Sequence, residues 1–395
     1  FPYPTLFRSP EETPVQHLYT GRAWVRFSQK FGKTASGEKP GVISNAFYSI
    51  QADYQRDGAD QEDPRFKRNI FDYLYLGKFT QNTTPFYAFG SDSVSKLPGI
   101  VYQGQFNNGV TYQPSNLNPY LANYTSEYFN TTGTPPQTYD FIRNNRALLN
   151  GDEPFPTYGI WENVATALNA YSFYRNDQIS LSVDASFDLL LGKTKHSIEF
   201  GLYYQQRTER SYVAYANNNF FTSSLWQLMY QLTNKHIQLD KSNPVFIVNG
   251  HQYSYSDIKN GLASPGPTDT ITYNYKAYTN AQSAFDRNLR EKLGLDPNGT
   301  DLINVYGLDP NTFSLGMFSA DELLNSGNPF VSYQGYSYTG QLQTGQVNFN
   351  DFWTAKDANG NYTRPIGAFR PNYTAGYITE KFQIKHILFN VGVRI

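Results

Sequence analysis

The sequence predicts an all-β chain, part of a large antiparallel transmembrane β-barrel with long, partly helical extracellular loops. One stretch carries most of that prediction. From Ile179 to Leu189, Ile179, Leu181, Val183, Ala185, Phe187 and Leu189 alternate without a break against Ser180, Ser182, Asp184, Ser186 and Asp188. A strand has a side-chain period of two, so this segment has one dry and one wet face. A run of roughly ten such residues is the unit of a membrane-spanning barrel, whereas sandwich strands usually keep the pattern for less. Composition is the second observation: aromatics reach 17 % while charged residues are only 16 %, with Tyr 33 and Phe 29. Mean hydropathy is nevertheless −0.56, so the polarity resides in Tyr, Asn, Gln, Ser, Thr and Gly rather than in charge. Outer-membrane barrels and carbohydrate-handling β proteins share that balance; soluble α/β enzymes rarely do. The third observation is that the connections between strands are very unequal.

Other classes are set aside on the same grounds. A length of 395 residues suits two or three soluble domains or part of one large barrel. The formal net charge of −1 gives no global attraction to nucleic acid, which is not an expected partner. No stretch approaches ~18 consecutive apolar residues, so no transmembrane helix is expected, and a barrel is untouched by that argument. With Cys 0 there are no disulfides and no thiolate metal sites. The opening segment FPYPTLFRSPEETP has neither the basic start nor the apolar core of a signal peptide. We therefore expect a removed leader or an internal piece of something longer.

Taken in order, residues 1–80 are expected to hold barrel strands with short connections. Ala23, Val25, Phe27 and Phe31 oppose Trp24, Arg26, Ser28 and Lys30; then Ala46, Tyr48, Ile50, Ala52 and Tyr54 oppose Ser49, Gln51, Asp53 and Gln55. A third strand is read over 69–79, with Phe71, Tyr73, Tyr75, Gly77 and Phe79 away from Asp72 and Lys78, although Ile70, Leu74 and Leu76 blur the pattern. Residues 81–170 form a long extracellular loop, and 171–210 a barrel hairpin that resumes with Ile198, Phe200, Leu202 and Tyr204 after a turn at Gly192–Lys195. A second long loop covers 211–370, and 371–395 is the last hairpin, turning at Gln383–His386. Loops of that length need structure of their own. A short helix follows Pro136 up to Gly151; others are read from Leu225, Leu228, Met229 and Leu232, and from Phe285, Leu289 and Leu293. A fourth opens with a Ser319–Glu322 capping box stapled by Phe318 and Leu323. If the strands alternate in direction, both long connections leave from one side and the short turns lie on the other, the asymmetry of an outer-membrane barrel.

Five stretches carry a family likeness: LYTGRAWVRFSQKFG, AFYSIQADYQRD with EDPRFKRNIFDYLYLGKF, ISLSVDASFDL with KHSIEFGLYYQQR, FSADELLNSGN, and RPIGAFRPNYTAGYITEKFQIKHILFNVGVRI. They resemble the barrel region of Bacteroidetes TonB-dependent outer-membrane receptors, the type with a carboxypeptidase-regulatory-like domain before the plug, related to SusC/RagA-like transporters. The resemblance implies a barrel of about 22 strands, a plug, and loops that capture substrate. It also implies the lipid bilayer, the rest of the barrel and plug, TonB acting through the plug, and a surface lipoprotein as partners. This sequence departs from that plan in having no plug, no TonB box and about a third of the strands. Seven strands alone would leave unpaired edges in lipid, so a fragment of a longer polypeptide, or the ordered part of one, is expected, and the final strand ending at Ile395 fits a cut inside the barrel.

The expected function is energised uptake of a peptide, oligosaccharide or chelate, with no bond chemistry, no cofactor and no catalytic or metal residues. Val25, Phe27, Tyr48, Ile50, Phe71, Tyr73, Leu181, Val183, Phe187, Ile198, Phe200 and Leu202 are the candidate lipid-facing set. Arg26, Asp53, Asp72, Lys78, Asp184, Asp188, Glu199 and Arg207 are the candidate lumen-facing set, and solvated carboxylates there are a plainer reading than a glycosidase pair. Trp161, Tyr253, Tyr255 and Trp353 are candidate ligand-loop aromatics, whereas Trp226 and Tyr230 are assigned to a loop core. The five histidines are scattered and read as solvated or turn residues; Asp296–Asp301 and Asp357–Asn361 read as turns before calcium loops. Two alternatives remain: a non-transporting outer-membrane scaffold or secretion-machinery partner, and a secreted glycan-binding or glycan-cleaving β protein.

Overall fold

The computed structural model describes residues 14–32, 42–133, 135–154, 168–192, 194–218 and 223–395. Strand accounts for 48 % and helix for 18 %, in antiparallel sheets. The chain opens with two long strands, β1 (Val15–Lys30) and β2 (Ile43–Glu62), then leaves their sheet for β3 (Gly77–Ser91), β4 (Pro98–Pro114), α1 (Pro119–Thr131) and α2 (Tyr139–Asn144). It returns as β5 (Ala170–Leu191) and β6 (Thr194–Tyr215). A second excursion holds β7 (Asn217–Asn218), β8 (Ser223–Ser224), α3 (Leu225–Leu232), β9 (Ile237–Val248), β10 (His251–Ser254), α4 (Tyr255–Lys259) and β11 (Thr270–Ala277). It continues through α5 (Ala284–Lys292), α6 (Ala320–Leu324), β12 (Val331–Gln334) and α7 (Asp351–Thr354), before β13 (Asn372–Ile384) and β14 (Ile387–Arg394) close the chain.

The long strands form one antiparallel sheet in the order β1-β2-β5-β6-β13-β14, with β12 added to the far end of β6. Because each neighbour is the next strand of this sheet along the chain, the β1–β2, β5–β6 and β13–β14 links sit at one end. Both excursions leave from the other. Two of those links are tight: Leu191 pairs with Thr194, and Ile384 with Ile387. Gly192 (φ 63°) and Lys385 (φ 55°) take the left-handed backbone that two-residue hairpin loops demand.

Register places the apolar residues on a single face. Phe27 pairs with Ile50, Ile50 with Val183, Val183 with Leu202, and Leu202 with Gly376, giving a row across five strands. The face is uncovered: Val25 is 67 % exposed, Phe27 57 %, Leu202 62 % and Val393 61 %. From Ile179 to Leu189 the apolar run spans ten steps, about 34 Å of antiparallel strand, or about 24 Å of height at a 45° tilt. Among the described residues this band holds one titratable pair, His196 Nδ1 to Glu380 at 2.7 Å, near the tight-turn end.

The expected third strand over 69–79 is corrected. Residues 63–76 form compact turns, and strand β3 starts only at Gly77. Phe71 (5 % exposed) and Tyr73 (0 %) are interior residues, not lipid-facing ones. The reason lies in the sequence Ile70-Phe71-Asp72-Tyr73-Leu74-Tyr75-Leu76, which is apolar on both parities and has no wet face to offer a wall strand. Its backbone is satisfied by buried amides instead. Asn150 Oδ1 accepts from Leu76 N (2.8 Å) and Gly77 N (3.2 Å), and Asn118 Nδ2 donates to Asp72 O (3.0 Å) and Tyr75 O (2.9 Å). Lys78 and Phe79 belong to a second sheet, β10-β9-β11-β4-β3.

That second sheet unites the two excursions, since β4 from the first pairs in parallel with β11 from the second. Around it lies the main core, built on Phe71, Tyr73, Leu74, Trp226, Phe285, Tyr306 and Phe318. Helices α3, α5 and α6 fall where the sequence puts them, and α6 carries the Ser319–Glu322 capping box in full. The helix after Pro136 is shorter than expected, starting behind the Thr138 cap and ending at Asn144; α1, α4 and α7 were not foreseen. One charged knot is wholly interior. Asp286 accepts from Arg290 Nε (2.9 Å) and Asn234 N (2.9 Å), with His236 Nδ1 at 3.3 Å, and all three ionisable side chains are 0 % exposed. His236 is thus a core residue rather than a solvated one.

Candidate functional site: two faces of the sheet and the scaffold above them

The wet face of the sheet carries most of the residues assigned to it. Arg26 Nε donates to Gln51 (2.6 Å), and Asp53 accepts from Arg22 (2.9 Å) and Gln51 (2.8 Å). Asp188 accepts from Asn45 Nδ2 (2.7 Å) and pairs with Lys195 (2.8 Å), and Arg207 lies 3.7 Å from Glu209. Asp184 and Glu199 share the Tyr377 hydroxyl, which donates toward them at 3.1 and 3.4 Å. Tyr377 reaches Asp184 by lying flat over Gly201 of the intervening strand, where a Cβ would collide with its ring. A half-open recess of about 500 Å³ and another of about 320 Å³ exist in the molecule, and the smaller belongs to this face, between Asn45, Asp188, Ser197, Glu199 and Lys381. The carboxylates named here are each matched by nearby amides, hydroxyls or cations, the chemistry of a solvated sheet face.

Asp72 and Lys78 do not share this face. Asp72 is 8 % exposed in the scaffold and Lys78 is an exposed residue of the second sheet. Asp72 lines the larger recess with Arg68, Asn69, Asn311, Thr339 and Gln341, against Phe71, Tyr171 and Phe313. Burial pushes its carboxyl above the usual range, and the nearby charge of Asp309 adds to that, against a hydrogen bond from Asn69.

The opposite, apolar face ends in a cluster that sequence reasoning missed. Two positions past Ile179 on the same face, Asp177 accepts from Tyr54 Oη (2.7 Å), Arg56 Nε (2.7 Å), Arg175 Nε (3.0 Å) and Arg210 Nη1 (2.7 Å). The β2–β5 and β5–β6 registers place Arg56 opposite Asp177 and Arg175 opposite Arg210. Parity was the signal available: Arg56, Arg175, Asp177 and Arg210 continue the even or odd series of the dry face. Further out on that face, Tyr171, Phe173, Tyr212 and Ala214 enter the scaffold core. The scaffold therefore stands on the apolar side of the sheet, beyond the band.

The candidate ligand aromatics divide. Trp161 lies outside the described residues. Tyr253 and Tyr255 pack against a small core around Phe246 and Ile271, with Lys259 Nζ 4.2 Å from the Tyr255 ring. Trp353 is 56 % exposed on α7 and edge-on to Phe352 at 4.8 Å. The Arg364 guanidinium lies 5.6 Å from Trp353 and 4.3 Å from Tyr362, and a bidentate pair with Asp321 (2.6 and 3.2 Å) holds it there. Trp226 is 1 % exposed, a core residue, while Tyr230 packs on Tyr306 yet is 48 % exposed. Asp357 spends its carboxylate on its own turn, accepting from Asn359 N (2.9 Å), Asn361 N (2.8 Å) and Asn361 Nδ2 (3.1 Å). Burial works against that carboxyl, but these donors hold it below its usual range. No known family model, curated protein or solved structure matches this chain.

Proposed function

We propose that the chain forms wall and outer loops of a transmembrane β-barrel in a Gram-negative outer membrane, belonging to a TonB-dependent transporter. The observation that carries the membrane part is the uncovered apolar face: a six-strand sheet with large hydrophobics exposed along a band about 24 Å high. A soluble monomer rarely leaves so large an apolar patch open, and a sandwich would cover it with its other sheet. The second sheet of this chain lies elsewhere, which weighs against the secreted glycan-binding reading. The opposite face is wet and matched in charge, as a water-filled lumen requires. The edges β1 and β14 would pair with further strands to close the barrel.

The transporter part rests on the sequence resemblance and on the scaffold raised at one end of the wall. On this reading the chain makes and breaks no bonds. Loops capture a peptide, oligosaccharide or chelate, with Trp353 and its Arg364-linked rings as an exposed contact, and TonB opens the path by pulling on a plug. Extraction from the native membrane tests it. The protein should leave the membrane only with detergent, with an intact mass of roughly twice this chain or more and plug peptides upstream. A species of this chain's size that stays soluble without detergent refutes the proposal.

A further inference from the structure

On the apolar side of the wall, between the band and the overhanging scaffold, three guanidiniums converge on one carboxylate. Arg56, Arg175 and Arg210 against Asp177 leave two positive charges in excess at contact distance. Of the neighbouring acids, Asp60 and Glu62 share Arg68, at 3.3 and 3.8 Å, so the enlarged cluster of four arginines and three carboxylates keeps one positive charge in excess. Arg56 is the open member: its side chain is 41 % exposed, and no hydrogen bond among the described residues uses its Nη1 or Nη2. Arg210 is the sheltered one, at 14 %, beneath Gly335, whose missing side chain leaves room for the Arg210 stem. Tyr19 (41 % exposed) and Tyr54 (38 %) flank the opening. Arg56 and Asp177 lie about 7 Å along their strands beyond Tyr54 and Ile179, the last members of the dry face. A fork of planar donors with excess charge suits an oxyanion rather than a neutral sugar, and at the edge of an apolar band the oxyanion at hand is a lipid phosphate.

We infer that Arg56, Arg175 and Arg210 form a binding site for the phosphate of a membrane lipid headgroup, seated between the apolar band and the scaffold. The inference rests on the membrane reading above, since only a wall in lipid brings a headgroup to this height. A lipid is preferred to a free phosphate because the site opens beside the uncovered band, where acyl chains would lie against Ile179, Leu181 and Leu202. Its phosphate would take the Nη donors of Arg56 and share Arg175 with Asp177.

The test uses the full-length protein in vesicles of phosphatidylcholine doped with phosphatidylglycerol or with a phosphorylated glycolipid, followed by native mass spectrometry of retained lipid. Wild type should retain the dopant, whose phosphate carries uncompensated negative charge, over zwitterionic phosphatidylcholine, whose phosphate is offset by its own choline. R56Q, the mildest change, should lower that retention about tenfold, and R56Q/R175Q further, while wet-face R26Q leaves it unchanged. Heat-dependent gel mobility checks that each variant is folded. Equal retention by wild type and R56Q/R175Q overturns the site. Retention abolished by competing inorganic phosphate, with equal phosphate binding in lipid-free micelles, overturns the lipid assignment in favour of a soluble anion. A protein that never enters the vesicles fails at the first step, and that result refutes the membrane reading itself.

Discussion

Asp72 shows how one side chain can look like a lumen group and be an interior one. Its burial raises the carboxyl's pKa, so the folded chain holds that proton more tightly than the unfolded chain. The cost of ionising it in place is absent below the ordinary carboxylate range and is fully present once pH exceeds the raised value. D72N should therefore stabilise the full-length protein at neutral pH, and the gain should vanish in acid. Thermal midpoints of variant and wild type across pH measure this; a constant difference would remove burial as the cause. The wet-face residues Arg26, Asp53, Asp184, Asp188, Glu199 and Arg207 were readable because parity alone decides a strand residue's face. Phe71, Tyr73 and Asp72 were not, because a segment apolar on both parities has no pattern to separate strand from buried turn.

At the scale of elements, the long strands of the first sheet declared themselves through long alternation, and α3, α5 and α6 through helical spacing and caps. Strand β2 nevertheless runs on to Glu62, past Gln55, where the alternation read from the sequence stops. The second sheet was hidden for a physical reason. Pro244 interrupts the pattern of β9, and the β3–β4 pair shifts register twice, so neither keeps a clean period of two. The wall makes a sharper prediction. On the membrane reading proposed above, Leu202 sits mid-band and Tyr203 faces the other way, so L202R should cost about 2–4 kcal/mol in bilayer unfolding measurements. Y203R should cost far less. Equal penalties would mean that both faces meet the same solvent.

Across the whole molecule, the sidedness of short turns and long excursions followed from strand parity. What parity could not reveal was that the two excursions are one body. Their joint is the parallel pairing of β4 with β11, where Ile100 meets Thr270. Parallel pairing between distant segments depends on packing context that no local window of sequence contains.

That joint also sets an order of events in time. The β5–β6 hairpin closes through a two-residue turn, whereas the β4–β11 joint must bring together positions 100 and 270. Closing long loops carries an entropy cost that grows with length, so local hairpins form early and such contacts late. Pulse-labelled hydrogen exchange during refolding should protect the amides of Leu181 and Val183 before that of Ile271; the reverse order would make the scaffold the template. With the long sheet first, the assembling protein passes through a stage in which one end of that sheet stands uncovered, and on the barrel reading proposed above that end is the outer mouth, open until the scaffold docks.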